Sequence, residues 1–143
     1  EKKAIRRRSI AVIDENFETF VKTSIPNLFS NNEKDILEGK IELAKNIAKS
    51  TDKEGVKAAQ LGMAERPDRT EILENLDAKI LIIAGKYDNA VKTENLLKII
   101  PEKTNIKTDV LDCGHNGHWE KPTICAEIIN TELFHNLPKH FLL

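Results

Sequence analysis

This chain has few aromatic residues, no marked excess of one charge and no long apolar run. Phe, Trp and Tyr make up 5% of its 143 residues, with one Trp and one Tyr. Lys and Arg total 22 against 23 for Asp and Glu, so the formal net charge is −1. This balance gives no reason to expect a nucleic acid or a membrane surface as partner. The longest apolar run, from Ile80 to Ala84, is far shorter than the ~20 residues of a membrane-spanning helix.

Cysteine is scarce as well, which limits disulfide and metal chemistry. Cys113 and Cys125 are too few for a disulfide framework, so a reducing compartment, and hence the cytoplasm, is the simplest interpretation. Cys113 could join His115 and His118 as metal ligands, but no second ligand pair at a familiar spacing accompanies them. We therefore expect no metal and no cofactor.

The first half of the chain, residues 1–75, has the periodicity of helices and no strand pattern. Its N-terminal basic cluster is explained by a solvated helix face. Three apolar stripes are expected to face inward: Phe17, Phe20, Val21 and Ile25; Leu37, Ile41, Ala44 and Ala48; and Val56, Ala59 and Met63. Asp52 lies in a helix-capping sequence, and Pro67 is suited to the first turn of a short helix.

The second half changes character at an aliphatic run, Ile80 to Ala84, that ends in Gly85. Such a run is typical of a strand in a parallel sheet. Thr93 is expected to cap a helix, residues 106–111 partly alternate as a strand near a sheet edge does, and Pro122 opens a final helix. The order strand, helix, strand, helix predicts two parallel strands joined by a crossover connection.

Two chemically active residues follow the predicted strands. Asp88 lies four residues beyond Ala84, and His115 lies four residues beyond Leu111. Because the carboxyl ends of parallel strands meet at one edge of a sheet, both loops should emerge there, where open α/β folds place their sites. A carboxylate in reach of an imidazole can fix its tautomer and stabilise the imidazolium that forms when it takes a proton.

These two loops carry a family resemblance. The sequence from Leu81 to Asp88 resembles the strand and acid loop of the α/β-hydrolase family, and that from Cys113 to Pro122 resembles its histidine loop. The resemblance implies an α/β fold in which residues 1–75 are part of a helical cap and residues 76–143 are the last two parallel strands and helices of the core. It also implies that His115 is the catalytic base and that Asp88 orients it. His118 and Trp119 are expected to line the mouth of the site and bind substrate, or to pack beneath it, with a core position for Trp119 as a further alternative.

The nucleophile of that family is not found in this sequence. In the family it precedes the acid and the histidine and lies in a G-x-S-x-G elbow. None of Ser9, Ser24, Ser30 and Ser50 has glycine two positions to either side, and both cysteines follow Asp88. We therefore expect the chain to be inactive alone. The nucleophile then belongs to a core segment that precedes this sequence in a longer protein or to another chain, or it does not exist.

The resemblance implies hydrolysis of a small ester-like substrate by a nucleophile–histidine–acid triad. Epoxide or haloalkane hydrolysis by an aspartate nucleophile stays open, because the deciding residue is missing. A non-catalytic hydrolase-fold protein that binds a partner is the alternative. A purely helical adaptor domain is a further one, and the strand pattern from Ile80 to Ala84 argues against it.

Overall fold

A computed structural model describes residues 2–134 of the chain. By its internal contacts the chain divides into two compact units, Glu1–Arg69 and Thr70–Leu143. The described part of the first unit is helical, as its sequence predicts, and the second unit contains both strands and helices.

The helical unit consists of four α-helices and a 3-10 turn within residues 2–69. Their bounds are α1 Lys2–Glu15, α2 Phe17–Ser24, the 3-10 turn Pro26–Leu28, α3 Lys34–Lys49 and α4 Lys53–Glu65. Helix α1 packs against α2 and α4, and α2 packs against α3. The buried side chains are Ile13, Val21, Phe29, Ser30, Leu37, Ile41, Gln60 and Ala64. The unit therefore has a small core of its own.

Local sequence explains where two of these helices begin. The Asn16 side chain accepts a hydrogen bond from the Thr19 amide at 2.9 Å, and the Asp52 side chain accepts one from the Gly55 amide at 2.9 Å. Both satisfy amides that the first turn of a helix leaves without an intrahelical partner. Pro67, in contrast, does not open a helix, because the next helix begins at Thr70.

The predicted inner face of α4 is wrong by about one position. Met63 is 40% exposed, whereas Gln60 and Ala64 are buried. The reason is polar packing: the Arg6 guanidinium donates to Gln60 Oε1 at 3.2 Å, and Lys57 Nζ lies 2.7 Å from Asp14 Oδ1 on α1. The spacing of apolar residues cannot predict the inner face of a helix that contacts its neighbour through hydrogen bonds and ion pairs.

The second unit contains a two-stranded parallel sheet within the described residues. Its elements are α5 Thr70–Asn75, β1 Ile80–Gly85, α6 Thr93–Leu97, β2 Ile106–Leu111, α7 Gly117–Glu120 and α8 Pro122–Phe134. The strands pair from Ile80 opposite Ile106 to Gly85 opposite Leu111. The parallel direction and the helix opened by Pro122 confirm the sequence prediction.

The sheet is only partly covered by the described residues. Ile80, Leu81, Ile82 and Ile83 are half-buried, and burial is complete only at Ala84 and Gly85. On α8, Cys125 is buried and Ile128 half-buried, but Ile129 is 37% exposed. The well-packed part of this unit is therefore the carboxyl end of the strands.

No helix within residues 2–134 combines the length and the apolar character needed to cross a membrane.

Candidate functional site

The acid loop follows β1 and fixes the Asp88 carboxylate. Asp88 is 7% exposed, and its Oδ1 accepts hydrogen bonds from the amides of Ala90 at 2.7 Å and Val91 at 2.9 Å. An aspartate that accepts from amides two and three residues ahead forms a local turn, which the side-chain length of Asp favours. One carboxylate oxygen is thus held by its own loop, and the other is directed away from it.

The second oxygen meets the histidine of the next loop. Asp88 Oδ2 lies 2.8 Å from His115 Nδ1, and the two side chains are 8% and 43% exposed. The predicted proximity of these residues, which follow separate strands, is therefore observed. The sequence analysis predicted the contact of a carboxylate with an imidazole, and the structure adds that the acid is buried and the imidazole partly exposed.

The contact determines which ring nitrogen of His115 carries the proton. An ionised carboxylate only accepts hydrogen bonds, so His115 Nδ1 must carry the proton and donate it to Asp88 Oδ2. In the neutral ring the proton-free nitrogen is then Nε2, whose lone pair can take a proton from a reacting group. The resulting imidazolium is stabilised by the Asp88 charge beside it. The pair can therefore act as an oriented general base.

The two loops are joined through their backbones. The Lys86 amide donates to the Leu111 carbonyl at 2.8 Å, and the Tyr87 amide donates to the Cys113 carbonyl at 2.9 Å. These bonds continue the pairing of β1 with β2 into the loops. They place Asp88 and His115 side by side because the strands are parallel and in register.

Gly85 brings the histidine loop unusually close to β1. A Cβ atom at this position would overlap the Gly114 carbonyl oxygen and would lie 2.7 Å from the Cys113 carbonyl oxygen. Real Cβ atoms do not approach backbone that closely, so only glycine fits here. The Thr93 hydroxyl, predicted as a helix cap, instead donates to the Gly85 carbonyl, while Lys92 occupies the cap position.

Glu120 is the site residue that sequence reasoning missed. It is 6% exposed, and its Oε1 accepts a hydrogen bond from the Gly114 amide at 2.9 Å. In the sequence it is only the glutamate of a Glu-x-Pro helix start, and its partner lies on the preceding loop. A single carboxylate that binds the backbone of the preceding loop leaves no repeating pattern in the sequence, so periodicity cannot reveal it.

The two residues expected to line a substrate site lie on α7, directly after the histidine loop. His118 is exposed and Trp119 is half-buried, with the Trp119 amide donating to the Asn116 carbonyl at 2.8 Å. They follow His115 on the same short segment. Their role toward a substrate stays a prediction.

Both cysteines lie beneath this segment rather than at its surface. Cys113 is 1% exposed and Cys125 is 6% exposed, and both are free thiols. Burial, with a smaller contribution from the nearby Glu120 carboxylate, raises the pKa of the Cys113 thiol to about 11. Burial also raises the pKa of Cys125. Neither thiol has the properties of an activated nucleophile.

Both thiols are expected to resist modification in the folded chain. At pH 8 a thiol with a pKa of about 11 is ionised in only about one molecule in a thousand, and the thiolate is the reactive form. Ellman's reagent should therefore label neither cysteine within minutes, and should label both after denaturation. Rapid stoichiometric labelling of the native chain would contradict this, and a Cys125→Ser variant would show which thiol reacts.

The serine hydroxyls have local roles in the helical unit. Ser9 donates to the Ile5 carbonyl at 3.1 Å, and Ser50 donates to the Ile47 carbonyl at 2.8 Å. Ser30 is 1% exposed, and its hydroxyl accepts from the Asn32 amide at 3.2 Å.

Among residues 2–134, no three His, Cys, Asp or Glu side chains are grouped so as to hold a metal ion.

Comparison with known proteins identifies the fold. No protein-family model matches the sequence, and no curated protein matches it. Among solved structures, a thermophilic esterase from Thermogutta terrifontis is 30% identical with a TM-score of 0.79, over 91% of this chain and 48% of that one.

Two further structures show the same fold at lower identity. An esterase from Exiguobacterium antarcticum is 15% identical with a TM-score of 0.76, over 90% of this chain and 47% of that one. An α/β hydrolase enzyme from a Medee basin deep-sea metagenome library is 19% identical with a TM-score of 0.74, over 91% of this chain and 50% of that one. The chain thus spans about half the length of each of these proteins.

Proposed function

We propose that this chain, whose fold is that of the carboxyl-terminal part of an α/β hydrolase, supplies the acid and the base of an ester-hydrolysing triad. The observation that carries the proposal is the 2.8 Å contact between Asp88 Oδ2 and His115 Nδ1. The esterase structure that is 30% identical to the chain favours ester-like substrates over the epoxides and haloalkanes that an aspartate nucleophile would serve.

In the proposed mechanism, His115 acts twice. Its Nε2 takes the proton of the attacking hydroxyl, and the imidazolium that forms is stabilised by Asp88. His115 then gives this proton to the leaving alcohol, which completes acylation. In the second half of the reaction, His115 takes a proton from the water molecule that attacks the acyl group. It returns this proton to the nucleophile oxygen as the acyl–oxygen bond breaks and the acid product leaves. Asp88 stays ionised throughout and keeps the ring oriented.

The nucleophile in this proposal belongs to a segment outside the given sequence. Three observations support this. No serine here lies in a G-x-S-x-G elbow; the isoleucines of β1 are only half-buried by the described residues; and the chain covers about half of the hydrolases it is similar to. A segment that pairs with β1 would bury these side chains and bring in the missing group.

The two halves of the chain have different roles in the proposal. Residues 1–75 act as part of a helical cap, and residues 76–143 carry the acid–base pair. His118 and Trp119 are placed at the substrate, because they follow His115 within four residues. The substrate is a small, mainly apolar ester. Since both cysteines are free thiols, a reducing compartment such as the cytoplasm fits the protein.

A chimera tests this function. This chain replaces the region of the Thermogutta terrifontis esterase that it covers, and the rest of that esterase supplies the nucleophile. We expect the chimera to hydrolyse p-nitrophenyl butyrate well above the buffer rate, and the 143-residue chain alone to show no hydrolysis above buffer.

The control for the chimera is its folding, followed by a cooperative thermal transition. A folded chimera that does not exceed the buffer rate would contradict the enzyme proposal. It would favour the alternative, a hydrolase-fold protein that only binds its ligand.

A further inference from the structure

Gly114, the residue directly before His115, is held from two sides. The Gly114 amide donates to Glu120 Oε1 at 2.9 Å in a buried hydrogen bond. The Gly114 carbonyl oxygen lies against Gly85, so closely that no Cβ would fit between them. The backbone directly before the imidazole therefore has little freedom to rotate.

The burial of Glu120 indicates that the hydrogen bond its carboxylate accepts is important to the loop. A carboxylate that is 6% exposed is costly to bury unless it accepts hydrogen bonds. Amide hydrogen bonds to an ionised acceptor are stronger than those between neutral groups. The Glu120 amide itself donates to the Asn116 carbonyl at 3.0 Å, a bond of the helical turn α7 that follows the loop carrying His115.

We propose that Glu120 is a positioning residue for His115. Its Oε1 fixes the Gly114 amide, and thereby sets the backbone of His115 so that Nδ1 reaches Asp88 Oδ2. This inference rests on the proposed role of His115 as a base, and adds to the Asp88–His115 pair a second carboxylic residue, one that acts through the backbone and not on the substrate.

If Glu120 acts in this way, its essential property is an acceptor oxygen on a side chain long enough to reach the Gly114 amide. Glu120→Gln keeps the length and an acceptor oxygen but removes the charge. Glu120→Asp keeps the charge but shortens the side chain by one methylene group, so that its oxygen no longer reaches the Gly114 amide. An acceptor role and a charge role therefore predict opposite orders for these two variants.

The experiment follows the Nδ1 proton of His115 by NMR in the 143-residue chain. A hydrogen-bonded imidazole proton exchanges slowly with water, and local opening speeds this exchange. We expect Glu120→Gln to exchange within about twofold of the parent, and Glu120→Asp at least about tenfold faster. The same Glu-to-Asp change at Glu127, an exposed residue of α8, is the matched control and should leave exchange unchanged.

Each other result overturns the inference. If Glu120→Gln speeds exchange and Glu120→Asp does not, the charge and not the acceptor oxygen is what matters. If both variants speed exchange equally, neither the acceptor oxygen nor the charge alone accounts for the position of His115. If Glu120→Asp lowers the melting temperature but leaves exchange at the parent rate, Glu120 is structural only. Failure of the proposed function differs from these results: the chimera would lack turnover while the exchange order stayed as expected.

Discussion

Replacing His115 by alanine should lower kcat of the active chimera on p-nitrophenyl butyrate by about 10³-fold or more, because triad members act as a unit. Such a loss corresponds to roughly 4 kcal/mol of transition-state stabilisation. KM should change little, since His115 acts on the reacting proton and not on the bound ester. Steady-state kinetics of the purified variant measure both quantities. Unchanged kcat would remove His115 from the mechanism.

Asp88→Asn should lower kcat by a comparable factor, about 10³- to 10⁴-fold, through the imidazole tautomer. Asp88 Oδ1 accepts two backbone amides, from Ala90 and Val91, so the amide oxygen of an asparagine would take that place. Its NH2 group would then face His115 Nδ1 and donate to it. The ring proton would move to Nε2, where a base must be proton-free.

Asp112→Asn provides the matched control for this substitution. Asp112 lies just past the end of β2 and pairs with Lys86 at 3.1 Å, but its side chain is 71% exposed. A surface ion pair of this kind contributes little, so kcat should stay within about threefold. Equal losses in Asp88→Asn and Asp112→Asn would indicate a general effect of charge and not a specific one on the tautomer.

Gly85→Ala should destabilise the second unit by about 3 kcal/mol or more, at the upper end of what overpacking costs. The added Cβ would meet the carbonyl oxygens of Cys113 and Gly114. Backbone cannot turn aside as a flexible side chain can, and the Cys113 carbonyl is already bonded to the Tyr87 amide. Trp119, the single tryptophan, lies in this unit, so its fluorescence during urea unfolding measures the loss.

Gly39→Ala is the control for this measurement. Gly39 lies within α3 of the helical unit, and a Cβ there would meet nothing within 4 Å. Alanine in an open helix position stabilises by about 0.5–1 kcal/mol relative to glycine. The Trp119 unfolding midpoint should therefore not fall in this variant. A Gly85→Ala chain with the parent midpoint would show that the histidine loop can move away from β1.

The sequence predicts the part of the fold that depends on repeating patterns. The isoleucine run of β1, the partial alternation of β2 and the Pro122 helix start are local signals, and each corresponds to an observed element. The position of Asp88 and His115 four residues beyond Ala84 and Leu111 was enough to predict their contact. It follows from topology, since the ends of paired parallel strands are neighbours.

Features that depend on a single polar contact were not predictable in this way. Examples are the hydrogen bonds from Arg6 to Gln60, from the Thr93 hydroxyl to the Gly85 carbonyl and from the Gly114 amide to Glu120. Such pairs leave no periodic trace. They become visible only when the backbone has brought distant residues together.

The strand register that aligns Ile80 with Ile106 also determines when Asp88 meets His115 during folding. A slip of one residue between the strands would shift β2 by about 3.3 Å and turn its side chains to the opposite face. Asp88 and His115 would then be out of hydrogen-bond range. Asp88 and His115 are separate in any partly folded state that lacks this pairing, so their contact and a correctly aligned sheet must arise in the same folding step.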